Sequence, residues 1–155
     1  LQKSMTISFD ISKYKGHDKD HLFIGSVSRY GNKLYYTSTK KRGNRLTTRT
    51  KYLGSYTLGI DNENPKINAI NFKNESWISK NNYIKVKISD EISGIKNYRA
   101  TINDQWILME YDTKTQLLTY DFNDNIVIET KNNLKIIVTD NVGNSSTFET
   151  IFYKK

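Results

Sequence analysis

Apolar and polar side chains alternate with a period of two along most of this chain. Between Met5 and Ile11 every second residue is apolar, while Thr6, Ser8 and Asp10 lie between them. Such alternation is typical of β-strands with one buried face, because successive side chains point to opposite sides. No segment keeps a period of 3.6, so we expect little helix. The predicted strands cover residues 5–11, 22–28, 33–38, 45–51, 55–60, 66–72, 84–88, 95–102, 106–111, 117–122, 134–139 and 147–153.

Turn signals separate these strands and divide the chain into two parts. Residues 30–32, 41–44 and 103–105 are predicted hairpin turns, and residues 123–133 fit either a strand or an irregular connection. The polar stretch from Asp61 to Pro65 predicts a domain boundary, because proline cannot donate a hydrogen bond to a sheet. Short strands spaced by 8–12 residues indicate an all-β fold. We predict two tandem immunoglobulin-like β-sandwiches, a small domain at 1–61 and a seven-stranded domain at 62–155; with about five strands, the first is small enough to be an incomplete sandwich.

Composition narrows the function classes. The 155 residues include no cysteine, so a disulfide, a thiolate metal site and a cysteine nucleophile are excluded. No run of about 18 apolar residues occurs, so we expect no membrane-spanning segment. The chain begins at Leu1, which suggests a mature or excised piece of a longer protein. Twelve Lys and Arg residues against four Asp residues up to position 61 account for the whole net charge of +8, so the first domain is strongly basic.

Several loops and strands resemble a known family. Residues 90–95 read DEISGI and residues 139–144 read TDNVGN, as in bacterial immunoglobulin-like domains. Between them, residues 98–102 (YRATI) and 106–112 (WILMEYD) resemble the C-terminal region of exported lysostaphin-type zinc peptidases from Bacteroidetes. Residues 52–61 followed by Pro65 are similar to the linker of that family. Asn103-Asp104-Gln105 departs from its usual Asp-Gly, which changes the turn and not the function.

The resemblance concerns the accessory region and not the catalytic one. The peptidases bind zinc through H-x-x-x-D and H-x-H motifs, whereas the only histidines here are His17 and His21, in neither motif. The resemblance therefore implies a non-catalytic segment that is secreted, periplasmic or on the cell surface. Its partner would be an upstream domain of the same polypeptide or a surface protein or glycan. We expect no enzymatic activity, catalytic residue or required cofactor.

Two sets of side chains could bind a metal. His17 and His21 are four residues apart, with Asp18 or Asp20 as a third ligand. The alternative is a solvated polar loop, which Gly16 and the following strand favour. Asp61, Asp90, Glu91 and Asp140, together with Glu63, lie in loops that share one pole of an immunoglobulin-like domain. These oxygen ligands could hold calcium at the domain junction, or simply cap turns.

Basic and aromatic residues supply the other binding candidates. Lys40, Lys41, Arg42, Arg45, Arg49 and Lys51 lie on or beside a predicted hairpin, with Tyr35, Tyr36 and Tyr52 nearby in sequence. They could bind an anionic wall polymer or partner, with nucleic acid ranked last, or form only a solvated strand edge. Trp106 and Tyr98 are predicted to face each other across a hairpin. The two rings would either pack in the core or stack on sugar rings. Trp77 is predicted to be exposed. The main hypothesis is a structural or interaction module, and the alternative is a carbohydrate- or cell-wall-binding module.

Overall fold

A computed structural model describes residues 3–124 and 128–155. The protein is all-β, as predicted, and its only helix within those ranges is the 3₁₀ turn Lys19–His21. The chain divides into two compact units. Unit 1 comprises the residues up to Glu63 with Glu91–Gly94 and Val142–Asn144, and unit 2 comprises Asn64–Asp90, Ile95–Asn141 and Ser145–Lys155. Within the described part of the chain no helix has the length and hydropathy needed to cross a membrane.

The described residues of unit 1 form six strands in two three-stranded antiparallel sheets. The sheets have the orders β1-β5-β4 and β3-β2-β6. The strands are β1 (Met5–Asp10), β2 (Leu22–Val27), β3 (Leu34–Tyr36), β4 (Thr39–Arg42), β5 (Arg45–Thr50) and β6 (Tyr56–Ile60).

Apolar residues of both sheets form a small core in unit 1. Leu22 and Ile24 of β2 meet Leu46 of β5, and Ile11, just after β1, completes the buried set. The half-buried rings and chains around them are Phe9, Tyr14, Tyr56 and Leu58. Leu22 and Ile24 alternate along β2, and Tyr56 and Leu58 alternate along β6, so one side of the β3-β2-β6 sheet packs against Leu46 of the other sheet.

In unit 2 the described residues form an immunoglobulin-like sandwich of one five-stranded and one four-stranded sheet. Their orders are β11-β10-β14-β15-β8 and β12-β13-β9-β7. The strands are β7 (Lys66–Ala69), β8 (Ser76–Trp77), β9 (Tyr83–Ser89), β10 (Ile95–Ile102), β11 (Gln105–Ile107), β12 (Glu110–Asp112), β13 (Leu117–Asp121), β14 (Lys131–Asp140) and β15 (Ser145–Tyr153).

The core of unit 2 lies between these two sheets. Its fully buried members include Ile84 and Val86 of β9, Leu118 of β13, and Ile136 and Val138 of β14. Burying one such aliphatic side chain contributes about 1.5–3 kcal/mol. The core of unit 2 is therefore larger than the core of unit 1.

Three local predictions are corrected by the structure. The predicted turn at 41–44 is shorter, because Lys41 and Arg42 end strand β4 and only Gly43 and Asn44 form the loop. The part of unit 1 that the structure describes therefore has six strands rather than about five. The predicted strand at 106–111 is two strands, β11 and β12, which belong to different sheets. Of the ambiguous stretch 123–133, residues 125–127 lie outside the described ranges, and the end of the stretch opens β14.

Candidate functional site

The outward side of the β1-β5-β4 sheet in unit 1 carries most of the basic candidates. Leu46 lies in the core, so Arg45, Thr47 and Arg49, the residues in alternate register on β5, point outward. Thr47 lies opposite Lys40, and Arg45 lies opposite Arg42. We define the basic face as Lys40, Arg42, Arg45 and Arg49, all of which are exposed.

Hydroxyl groups and one carboxylate complete this side of the sheet. Thr6, Ser8 and Asp10 of β1 lie opposite Arg49, Thr47 and Arg45. A depression of about 250 Å³ opens on this face, lined by Thr6, Ser38, Lys40, Thr47, Thr48 and Arg49. Four cations thus face solvent beside hydrogen-bonding hydroxyls, with Asp10 as the acid in register with them.

Asp10 lies at one corner of the basic face, opposite Arg45. The backbone N–H of Ser12 donates to the Asp10 carboxylate at 2.8 Å. That bond is the main reason why the pKa of Asp10 lies below its ordinary value, and nearby Arg45 acts in the same direction. Asp10 therefore stays ionised and offsets only part of the positive charge.

Two arginines on the basic face lie directly opposite each other. Arg42 and Arg45 form the last register pair of the hairpin, joined by Gly43 at φ 56° and Asn44. Like charges in directly opposed positions destabilise a sheet. An anion bound across this pair would relieve that repulsion.

Lys41 does not share the basic face. It lies opposite Leu46, so its side chain leaves the other side of β4. Its ammonium pairs with the Asp20 carboxylate and donates to the carbonyl of Lys19 at 3.0 Å. The bond from Lys41 lowers the pKa of Asp20. The basic run 40–42 in the sequence is therefore divided between two sides of one strand.

The aromatic candidates belong to other sheets than the one that carries the basic face. Tyr35 is 55% exposed but belongs to β3, in the other sheet of unit 1. Trp77, 58% exposed, lies in unit 2, and its predicted exposure is confirmed. Trp106 is also 59% exposed, so its predicted core role is wrong. Trp106 lies opposite Thr101 and not Tyr98, because the two-residue loop sets a different register.

His17 and His21 lie around the 3₁₀ turn in unit 1. The Nδ1 atom of His21 is 2.7 Å from the side-chain oxygen of Asn62. Asn62 in turn donates to Asp18, which also accepts the hydroxyl of Tyr14 at 2.6 Å. These bonds lower the pKa of Asp18, the Tyr14 bond being the larger cause. Among the described residues, neither histidine belongs to a group of three potential metal ligands.

The acidic candidates occupy buried loop positions. Asp61 is fully buried, and its carboxylate accepts the backbone N–H groups of Glu63 and Ser93, each at 3.0 Å. In unit 2, carboxylate oxygens of Asp90 and Asp140 approach within 4.8 Å. Asp140 is fully buried and Asp90 half-buried, whereas Glu91 is exposed. Calcium at these residues stays a prediction.

Sequence reasoning missed two features of these sites. The row of hydroxyls from Thr6, Ser8 and Thr47 beside the basic face depends on the strand register. The polar depression of about 550 Å³ in unit 2 is lined by Asn74, Asn103, Lys131, Asn132, Asn133, Glu149, Thr150 and Ile151. Its residues come from four separate parts of the chain. The only signal in the sequence was the high frequency of asparagine, which turns also explain.

Comparison with known proteins gives similarities of fold. No protein-family model and no curated protein matches the sequence. An endo-β-1,4-mannanase from Thermotoga petrophila is similar with a TM-score of 0.50 and 9% identity, over 61% of this chain and 20% of that one. The fibronectin(III)-like modules of Clostridium thermocellum CbhA give a TM-score of 0.45 and 12% identity, over 99% and 86% of the two chains.

A third similar structure is a mutant of the SrpA adhesin from Streptococcus sanguinis. Its TM-score is 0.43 and its identity 14%, over 61% of this chain and 59% of the adhesin. The chain thus spans a fifth of the mannanase and less than two thirds of the adhesin. At such identities these similarities concern the fold alone.

Proposed function

We propose that this chain is a non-catalytic interaction module of a secreted or cell-surface bacterial protein. Its basic face would dock an anionic glycan or wall polymer. The two units would thereby hold or orient the rest of the protein at that surface. The observation that carries this proposal is the presence of Lys40, Arg42, Arg45 and Arg49 on one exposed sheet face.

The spacing of these cations suits a linear polyanion. Outward residues along a strand are about 6.8 Å apart, and neighbouring strands about 4.8 Å apart. The four cations are therefore close enough for one polymer to contact several at once. Each contact would displace counterions from the polymer, so binding would weaken steeply with salt. The like-charged pair Arg42 and Arg45 supports the same conclusion, because a bound anion would offset its repulsion.

The parent protein is a further part of the proposal. The sequence resemblance described above supports an accessory role beside an upstream lysostaphin-type zinc peptidase domain. A parent sequence with H-x-x-x-D and H-x-H motifs upstream would support that arrangement. An upstream region of unrelated chemistry would contradict it, while leaving the binding role of the basic face to be judged by its own experiment.

The binding role is tested by neutralising the basic face. The variant Lys40→Gln/Arg42→Gln/Arg45→Gln/Arg49→Gln is compared with the wild type for elution from immobilised heparin, an anionic glycan. We expect elution at much lower salt, with the slope of log affinity against log salt smaller by about one for each lost contact. Both proteins are checked for the same thermal midpoint.

A matched control distinguishes binding by the basic face from the effect of net charge. Lys3→Gln/Lys13→Gln/Lys15→Gln/Lys33→Gln removes four exposed cations from the same unit. We expect this variant to elute close to the wild type. If both variants lose the same amount of retention on heparin, the binding depends on the total positive charge and not on the basic face. That result would overturn the proposal. Tighter retention on duplex DNA than on heparin would assign the face to nucleic acid instead.

A further inference from the structure

Trp77 presents an aromatic face at the edge of the five-stranded sheet in unit 2. It belongs to β8, which pairs in parallel with β15, and more than half of its surface is exposed. The ring stacks on Tyr153, with centroids 5.2 Å apart and planes inclined by 29°. The indole is therefore supported by a second ring while much of it stays open to solvent.

The backbone on both sides of Trp77 is fixed. The N–H of Glu75 donates to the carbonyl of Ile151 at 2.7 Å, and the N–H of Ile78 donates to that of Tyr153 at 2.8 Å. The side-chain oxygen of Asn74 accepts the N–H of Ile151 at 3.0 Å. A platform held in this way loses little conformational freedom when a ligand binds, which favours affinity.

A depression of about 380 Å³ adjoins the ring. It is lined by Ile70, Asn71, Phe72, Lys73, Ser76, Trp77, Ile78 and Asn81. Phe72 and Ile78 are buried and give it an apolar floor, whereas Lys73 and Asn81 are polar residues of its lining. A volume of this size falls within the range of about 300–1,000 Å³ that is usual for small-ligand sites.

Two lysines lie beside the platform. The ammonium of Lys155 lies 5.6 Å from the centre of the Trp77 ring, within the range of a cation–π contact. Lys73 adds a second cation to the lining of the depression. Glu75 is the acid of the same turn but is not among the lining residues. The site therefore combines an open aromatic ring with ammonium groups.

We propose that Trp77, Lys155 and the adjoining depression bind an acidic sugar residue of a glycan. One face of a pyranose ring presents C–H groups, whose partial positive charge matches the negative face of an indole. A carboxylate on the same sugar would be attracted by Lys155 and Lys73. This site is distinct from the basic face, and neither depends on the other.

A peptide occupant fits the platform less well. Peptides that bind at a sheet edge add a strand and need a row of unpaired backbone groups. Strand β8 has only two residues, and the N–H of Ser76 is used by the carbonyl of Lys73. The edge therefore offers little for strand addition, whereas a single sugar ring needs only the indole and its surroundings.

The experiment uses hexagalacturonate and its carboxyl-reduced, uncharged form as probes. The protein carries the four substitutions of the basic face, so that this face does not contribute to binding, and Trp106→Phe, so that Trp77 is the sole indole. Indole fluorescence is titrated with each probe, and affinities are confirmed by calorimetry. We expect the acidic hexamer to bind more tightly than the neutral one, by about two- to fivefold.

Substitutions then identify the groups that bind. By calorimetry, Trp77→Ala should weaken both probes by roughly tenfold or more, as loss of a stacking ring does. Trp77→Tyr should keep part of the affinity. For the matched control, Trp106→Ala replaces Trp106→Phe in the same protein, since that position is 59% exposed in the same unit, and it should leave both affinities unchanged. Lys155→Gln should remove most of the preference for the acidic hexamer and keep neutral binding.

Several results would overturn this inference. One is that Trp77→Ala and Trp106→Ala change the affinity for the hexamers equally. Another is that Trp77→Ala leaves the affinity unchanged, and a third is that neither hexamer binds at millimolar concentration. An acidic preference that Lys155→Gln leaves intact would overturn the role of that ammonium. A saturable response to an apolar peptide, with none to the hexamers, would assign the platform to a protein partner.

Discussion

Gly59 illustrates how a single residue without a side chain shapes unit 1. It lies opposite Phe23 in the β2–β6 ladder. A Cβ atom there would be 2.5 Å from the Cζ atom of Phe23 and 2.6 Å from a methyl carbon of Leu34. Because Phe23 is fully buried, its ring cannot simply move into solvent. A larger residue at this position therefore forces Phe23 or Leu34 to shift.

We expect Gly59→Ala to lower the free energy of unfolding by about 1–3 kcal/mol, the usual cost of overpacking. Gly54→Ala is the control, because a Cβ atom at Gly54 would meet nothing within 4 Å. It should be neutral or slightly stabilising. Urea unfolding followed by circular dichroism measures both, and equal stabilities would contradict this account of Gly59.

The turn at Asn103 and Asp104 is another feature of single residues. Both have positive φ, 50° and 64°, and they form the two-residue loop between Ile102 and Gln105. This sign pattern is that of a type I′ turn, which asparagine tolerates and glycine usually completes. The sequence predicted a three-residue turn here, at residues 103–105 between the strands 95–102 and 106–111. The shorter loop moves Gln105 into β11 and places Trp106 opposite Thr101.

At the scale of single elements, β14 carries the period-two pattern furthest. From Asn132 to Asp140 every second residue is buried. Leu134, Ile136 and Val138 supply the apolar part of that row, and β14 is the middle strand of its sheet. The inward row is thus fixed by register, since a shift of one residue would expose all of it.

The two faces of β14 should respond differently to truncation. Ile136 is fully buried, and Ile136→Ala is expected to cost about 2–5 kcal/mol of unfolding free energy. The neighbouring Ile137 is half-buried on the other face, so Ile137→Ala should cost clearly less. Chemical unfolding of the two variants gives the comparison. Similar losses would mean that the assigned faces are wrong.

The split between β11 and β12 shows what an element cannot reveal by itself. Apolar and polar residues do not alternate clearly between positions 106 and 111, so the sequence gives no sign that the strand is interrupted there. In the structure Leu108 is 57% exposed and Met109 only 1%, and the chain passes from one sheet to the other between Ile107 and Glu110. Buried Met109 holds this passage in the core of unit 2. The switch depends on the space between two sheets and not on the local sequence.

At the scale of the whole molecule, hydrogen bonds and ion pairs to surface carboxylates predict a dependence of stability on pH. The pKa values of Asp10, Asp18, Asp20 and Asp112 all lie below the ordinary 3.8. The leading causes are bonds from the backbone of Ser12, from Tyr14, from Lys41 and from Thr115 respectively. The contribution of each group is complete above the unfolded value and is lost as pH falls through the lowered folded value.

Between pH 5 and 7 all four groups are ionised, so we expect them to cause little change in the thermal midpoint. When the pH drops below about 4, we expect the midpoint to fall. Asp18→Asn should give a shallower fall, because its stabilising charge is already absent. Calorimetric scans from pH 2 to 6 in constant salt measure both curves. If the thermal midpoint of Asp18→Asn decreases as much at low pH as that of the wild type, Asp18 does not contribute to the pH dependence.

The amino-acid sequence by itself determined the all-β class, most strand positions and the concentration of positive charge before Asp61. These properties are local, since period-two alternation, turn residues and charge are carried by neighbouring positions along the chain. It also predicted the exposure of Trp77 correctly, from its polar neighbours.

Only the tertiary structure decided which of these residues act together. The register of β4 with β5 places Lys40 and Arg42 beside Arg45 and Arg49, and sends Lys41 to Asp20 on the other side. Likewise, the pairing of β8 with β15 brings Tyr153 against Trp77, 76 positions earlier in the chain. Pairing of strands distant in sequence depends on how whole sheets bury their apolar faces, and no local pattern encodes that choice.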